Sequence, residues 1–546
     1  MAALEKQQGT PMPHAFSRTV LLLVAALSVA CTTAPRNTDP YRVETLVSGG
    51  PLHGAKGIRF GPDGGLYVCS VYAQTVYRVD VDTGEVTVAV GPPHGTSDDV
   101  AFAPDGTMVW TALPDGEIRA LEPGGEPYVL ADKLPLINPV NYTKDGRLFA
   151  AQIGLDRFLE IDTTGKEPPR LIAKGIGHLN SFEINADDQL YGPLAGIGTL
   201  ARIDLASGEV TPVAEGQDVL SAVELNSRGE IYAVAWAKGN LLHVDESTGS
   251  TKLITTLAPP LDNLAIAPDD RIYISQPALG RIVRVDPATG EQTIVIPGNM
   301  SIPGGLALGT VDGRETLFVA DDFGFRLVDT ESGRLWVITD LSEFIDPSAA
   351  TDIAVNDEVV VISDVTRSRL VMLDRTSGEK LTKWNRIGTP YGIVLTDNGN
   401  PVVAEFESGQ VIRLNKEDRK ARNIVADGLS GPVGLATGGP GILYVTEATA
   451  GRVTRINRGD GSKEIISDGL LQPEGVTVMS DGRIAVVEAG RQQVIAIEPE
   501  TGATTVLATG LPIGAVTPEA PAPVYTPNGI VAGAGGVLYL SSDIDH

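Results

Sequence analysis

Six residues recur at one position of a repeating unit in the first half of the chain, and five of them carry oxygen donors. They are Lys56, Asp98, Asn138, Asn180, Ser221 and Asp262, spaced by about 41 residues, with Asn263 following the last. Carboxylate, amide and water oxygens are what a calcium ion takes, roughly six to eight at a time. If Asp98, Asn138, Asn180 and Asp262 converge on one axis, with Asn263 in support, an ion held there can polarise a carbonyl and orient water against it. Lys56 is the discordant member. Its ammonium group repels a metal, or neutralises Asp98 or Asp262 and leaves a polar, water-filled mouth.

Three histidines precede these positions by two to four residues: His53, His94 and His178. A neutral imidazole suits general-base attack by water, so these three and Asp262 are the candidate catalytic groups. Three histidines also suit a transition metal, although no two of them share a chelating local spacing. The competing reading is that loop histidines cap or pack. His243 belongs to an outer strand, and the second half has no histidine before His546.

Such residues need a scaffold that brings them together, and the repeat supplies it. Between Leu261 and Ile296 the sequence is LDNLAIAPDDRIYISQPALGRIVRVDPATGEQTIVI. Short branched and aromatic runs separated by Gly, Pro and Asp turns predict a four-stranded antiparallel meander. Its second-strand signal recurs along the chain, as LYVC at Leu66, LFAA at Leu148, IYAV at Ile231, LFVA at Leu317, LYVT at Leu443 and LYLS at Leu538. A turn of acidic-x-x-Thr/Ser-Gly also recurs, from Asp80 to Gly84 and again at Asp204, Asp245, Asp286, Asp329, Asp374 and Glu498. One meander cannot bury both faces, so the copies must stack as propeller blades. Twelve repeats exceed one ring of the usual size. The predicted fold is all-β: two tandem six-bladed β-propellers of four-stranded antiparallel blades, with five plus seven as the alternative. The predicted organisation is a signal peptide over 1–30, a tether and N-terminal strand over 31–50, and rings over 51–300 and 301–546.

Composition sets outer limits. The 62 Gly and 37 Pro fit a turn-rich β protein, and a net charge of −27 argues against nucleic acid, which needs a basic footprint. Lys6 and Arg18 precede an apolar run from Thr19 to Ala30 that is too short to span a bilayer. The run closes with Leu27-Ser28-Val29-Ala30-Cys31, which resembles the lipobox of bacterial lipoproteins, with serine at the third place before the cysteine. That resemblance implies lipidation of Cys31, a cell-envelope location, periplasmic or outer-membrane-anchored, and contact with a membrane through the lipid alone. Without lipidation the protein is secreted. Cys69 then has no disulfide partner and reads as a small buried side chain. Tyr41 to Ser48 resembles the fourth strand of a blade, and the C-terminal repeat has first and second strands only, so the two ends are expected to meet.

The repeats resemble those of the gluconolactonase and senescence-marker-protein (regucalcin-like) family and, more distantly, paraoxonases and NHL-type propellers. Leu261-Asp262-Asn263-Leu264 is similar to the Asp-Asn that paraoxonases place on catalytic calcium. Leu179-Asn180-Ser181 resembles their asparagine ligand motif, and Pro527-Asn528-Gly529-Ile530 is similar to the Pro-Asn-Gly-Leu signature of gluconolactonases. Lys56 stands where the first blade of those families offers a glutamate. The resemblance implies Ca2+ and hydrolysis of a small lactone or ester; the rival is a non-catalytic envelope scaffold binding protein or glycan.

In the second half the equivalent mouth residues are Gly304, Thr351, Tyr391, Val433, Glu474 and Asn528, mostly followed by glycine. Asp321, Asp364, Glu405, Glu447 and Glu488 follow its second strands, often with an arginine next, which resembles the NHL pattern in which the pair ties a turn to the next strand. The stretch VTEATAGRV around Glu447 is similar to streptogramin lyases, but the histidines that chemistry requires are absent.

Overall fold

Asp80 shows why each repeat turns where it does. Its Oδ1 accepts the backbone N–H groups of Asp82 and Thr83 at 3.0 and 2.9 Å, and Gly84 follows in the left-handed region at φ +74°. The same short-range bonds recur at Asp204, Asp245, Asp286, Asp329 and Asp374, and Asn415 and Asn457 make them with an amide oxygen, so in these blades a local side chain, not a tertiary contact, sets the third-to-fourth-strand turn.

In the computed structural model, which describes residues 19–24, 41–321, 324–337, 349–514, 516–518, 520 and 524–542, these turns organise twelve four-stranded sheets. Burial is graded across each sheet. Second strands such as Leu148–Gln152 and Ile272–Gln276 are buried along their whole length, whereas fourth strands expose one branched residue, as at Val88, Leu171 and Ile294. The cores lie between blades: Leu264, Ile274 and Val283 of one blade pack on Ala222, Val234 and Leu241 of the one before. Neither blade could hide that surface alone.

Inner strands adjoin in two circuits. Ile58–Phe60, Val100–Phe102, Val140–Tyr142, Glu183–Ile184, Leu220–Leu225 and Leu264–Ile266 follow one another, and the last returns to the first. The second circuit runs from Pro303–Val311 through Ala350–Val355, Pro390–Leu395, Pro432–Thr437 and Pro473–Val478 to Ile530–Ala532, which returns to the start. Each circuit holds six blades, so the division is not five and seven.

The last blade is closed from the N-terminal side. Its order is Arg42–Ser48 (β2), Thr19–Val24 (β1), Leu538–Ser541, Ile530–Ala532. β2 is the outer strand, as expected. The third strand comes from β1, inside the stretch that the sequence reading kept out of the fold. An uncharged run of branched residues suits a blade interior as well as it suits a leader. Cys31 and His546 lie outside the described residues. No helix among the described residues is long and apolar enough to cross a membrane.

The rings touch near the mouth of the second. Val71, from a loop of the first blade, packs with Val365, Tyr391, Val433, Ala448 and Tyr525 of the second ring. Arg326 pairs with Asp321 at 3.0 Å and reaches the Ala278 carbonyl of the first ring, both charged side chains being almost fully buried. Asp364–Arg369 and Glu447–Arg452 repeat the acid–Arg pair, and Glu405, Glu447 and Glu488 accept backbone N–H groups of Gly388, Ser430 and Leu471. The second-ring carboxylates are therefore occupied in joining blades.

Candidate functional site at the mouth of the first ring

Backbone bonds set the mouth residues at one level. The N–H groups of Lys56, Asp98, Asn138, Asn180 and Asp262 donate to the carbonyls of Cys69, Thr111, Ala151, Pro193 and Ser275, between 2.7 and 3.1 Å. Each carbonyl belongs to the second strand of the same blade, so the five residues are equivalent points of one ring. Asp98 and Asp262 come from the blades on either side of Lys56, and both carboxylates help to push up the Cys69 thiol, which burial already raises well above its usual range.

The charges at the mouth partly compensate. Burial raises the Asp98 carboxyl, and the Lys56 ammonium opposes that rise. Lys56 Nζ also lies 5.9 Å from the centroid of the Trp236 ring, a cation–π distance. Asn138 Oδ1 is buried and has no hydrogen-bond partner among the described residues, an acceptor left for a ligand. Asn263 is used differently. Its Nδ2 donates to Ser181 Oγ at 3.0 Å and its Oδ1 accepts the Leu264 N–H at 2.8 Å, so it braces two blades across the channel.

No group of three His, Cys, Asp or Glu among the described residues is arranged to hold a metal. A cation here would take the two carboxylates Asp98 and Asp262, amide oxygens of Asn138 and Asn180, and water. That donor set is the hard-oxygen kind that suits calcium, and it excludes a zinc-type site.

The histidines do not share a partner. His53 is fully buried, with Nδ1 3.2 Å from the Ser301 carbonyl at the junction of the rings. His94 is exposed, and its carbonyl accepts Trp110 Nε1 at 3.1 Å. His178 is exposed at φ +63°, with Nδ1 2.8 Å from the Ile153 carbonyl and its N–H on Asp156. Of the four candidate bases, Asp262 alone belongs to the ring of oxygen donors.

Below the mouth lies a charged layer that the sequence reading missed. Arg59 crosses from the first blade to the fourth and fifth, with Nη1 3.0 Å from Glu183 Oε2 and Nη2 3.4 Å from Glu224 Oε1. Asn141 Nδ2 joins Glu183 at 2.9 Å. Burial pushes Asp99 up to about 7 against the pull of Arg59, and burial together with Glu183 raises Glu224 well above the usual carboxylate range. The signal was in the strands. Arg59, Asn141, Glu183 and Glu224 each stand three residues after a mouth residue, between apolar neighbours, where the second ring has Ala307, Ala354, Val394, Ala436, Thr477 and Val531.

The second hub is narrow at its mouth. Added Cβ atoms at Gly304 and Gly475 would lie 2.5 Å from the Thr351 and Asn528 carbonyl oxygens, and those at Gly392 and Gly434 would lie closer still to the next blade. Only glycine lets these inner strands approach so tightly. Over them, Glu474 accepts Tyr525 Oη at 3.1 Å, Gln472 Nε2 at 2.7 Å and the Asn528 N–H at 2.7 Å. A cavity of ≈ 60 Å³ remains at this level, lined by Asp352 and Tyr391, and a wider one of ≈ 430 Å³ lies further along the same inner strands, between Leu308, Val355, Thr396 and Val478. Asn528, the residue of the gluconolactonase-like signature, is therefore fully buried in a different ring from Asn180 and Asp262.

No protein-family model matches the sequence, and no curated protein matches it. Solved structures are similar in part. An extracellular domain of a one-component system from B. thetaiotaomicron is 11% identical, with TM-score 0.33, covering 94% of this chain and 73% of that one. A structural-genomics target named as a gluconolactonase is 16% identical, with TM-score 0.36, covering 48% of this chain and 95% of that one. Aldose sugar dehydrogenase from Streptomyces coelicolor, in its PQQ-bound form, is 17% identical, with TM-score 0.36, covering 42% and 90%. The propeller architecture itself is read from the sheets described above.

Proposed function

We propose that the protein is an exported hydrolase of small lactones or related esters, assisted by calcium, with its site at the mouth of the first ring. The carrying observation is the buried, unpartnered Asn138 Oδ1 at the level of Asp98 and Asp262. Asp98, Asp262, Asn138 and Asn180 would hold the ion, which supplies polarisation of the substrate carbonyl. Asp262 takes the proton of the attacking water, and Lys56 balances the mouth's charge over the face of Trp236. The second ring, narrow at its mouth, serves as a structural partner. Export follows from the apolar leader, and anchoring from lipidation of Cys31.

The test combines metal analysis of the purified protein with a panel of small lactones and aryl esters, assayed before and after chelation. Calorimetry with calcium on the protein and on Asp262→Ala accompanies it. Turnover that chelation abolishes supports the reading; negligible and identical heats for both proteins end it.

A second reading is favoured by the outer strands. Val88, Leu253, Ile294, Ile424 and Ile465 are each 42% or more exposed on the rims of the two rings. Such rims suit a non-catalytic envelope scaffold for protein or glycan. Retention of a partner by chelated, catalytically silent protein would favour it.

A further inference from the structure

The last blade holds its third strand differently from every other blade, because that strand does not follow the second in sequence. β1 pairs antiparallel with Leu538–Ser541, Leu23 opposite Leu538 and Val20 opposite Ser541, and its other edge pairs with β2. Opposite β2 the register shifts between Val20 and Leu21, after the second residue of the strand. Third strands elsewhere shift at the same place, between Val76 and Tyr77, Ile282 and Val283, and Val453 and Thr454. The place β1 fills is thus a regular third-strand position. Its walls are apolar: Leu538 and Leu540 pack with Leu507 and Leu511, and Tyr539 packs with Val47 and Met300.

β2 is also held by contacts of its own. The Tyr41 N–H donates to the Leu507 carbonyl at 2.9 Å, and Asn299 Nδ2 donates to the Ser48 carbonyl at 3.3 Å. Loss of β1 therefore leaves a gap of one strand between β2 and Leu538–Ser541, about 10 Å across. Both edges would present unpaired N–H and C=O groups, which template strand addition.

We propose that this gap is a strand-acceptor site: once the leader ahead of Cys31 is removed, it takes an extended, uncharged strand of branched apolar residues from a partner protein, antiparallel to Leu538–Ser541. The occupant's chemistry is that of the six residues seated there, TVLLLV. The proposal rests on the proposed leader cleavage.

The test uses the full chain with a specific protease site placed between Ala30 and Pro40 and cut after folding. The probe is a labelled peptide carrying TVLLLV between paired lysines. The cut chain should take up one peptide saturably, by filling the gap or by exchange with the cut fragment, and the uncut chain should take up none. In cut chain freed of the 1–30 fragment, uptake should slow hydrogen exchange at 538–541 by about tenfold or more. A peptide with aspartate in place of Leu22 should fail. Equal uptake by cut and uncut chains, no uptake after cutting, or pairing between cut chains that shuts the peptide out would each overturn the proposal. The N-terminal mass of the exported protein reports separately: intact residues 1–30 would sink the leader reading while leaving the result for the gap in place.

Discussion

Asp99 and Asp352 occupy the same place in the two rings. Each comes one residue after the mouth position of its ring's second blade. Each accepts the backbone N–H two residues past the next blade's mouth position, Val140 at 3.1 Å and Ile393 at 2.6 Å. Burial pushes both carboxyls up to about 7, although Asp99 has Arg59 nearby and Asp352 is opposed by backbone N–H groups alone. The carboxylate is a blade-to-blade strut common to both rings, independent of what the mouth above it does.

This pair makes stability depend on pH in a defined direction. The folded pKa lies above the unfolded value of about 3.9, so the folded protein keeps protons that the unfolded chain releases. Stability should fall as pH rises from about 4 to 7 and level off above. Asp352→Asn should flatten that slope and raise the unfolding free energy at pH 8 by at most about 4 kcal/mol. Urea melts at five pH values check it; a slope unchanged in the variant would refute it.

At the mouth, two substitutions should act in opposite senses on calcium. Asp262→Ala should abolish detectable binding, and Lys56→Met should tighten it by about tenfold, roughly 1.4 kcal/mol. Isothermal titration of the two variants reads both effects. Weaker binding in Lys56→Met would show that the ammonium supports the site.

Arg59→Met should cost about 3–5 kcal/mol at neutral pH, because it strands Glu183 and Glu224 without their shared cation. Lowering the pH should recover part of the loss, since Glu224 is raised and takes up a proton readily. Thermal melts at pH 5 and pH 8 separate this from a packing defect, which would cost the same at both.

In the second hub, Gly434→Ala should destabilise by more than about 2 kcal/mol, since its Cβ would meet the Glu474 carbonyl and the Thr446 hydroxyl. Gly439→Ala, where an added Cβ meets nothing within 4 Å, is the matched control. Calorimetric unfolding of the two variants gives the comparison.

The repeat was legible because turn chemistry is local: Asp80 and its counterparts bond to N–H groups two and three residues on, so spacing alone reveals them. Mouth positions followed from the same register. The Arg59 layer was harder to see, because an arginine between Ile58 and Phe60 looks like any half-exposed strand residue until Glu183 and Glu224 arrive from other blades. Nor could spacing show that Asn528 would be sealed under Tyr525, or that three loop histidines would each find a separate partner. Those outcomes depend on which blades face one another. The third strand of the last blade went unassigned because its composition is that of a leader.

β2 belongs by pairing to the second ring, yet it precedes every blade of the first. The first ring is accordingly nested within the chain of the second, as a parenthesis sits within a sentence. During synthesis the nested ring has all its blades available once Ile296 has emerged, whereas the host ring must wait for Leu538–Ser541, its final strand. Nascent chains halted midway would carry a finished ring beside an open one.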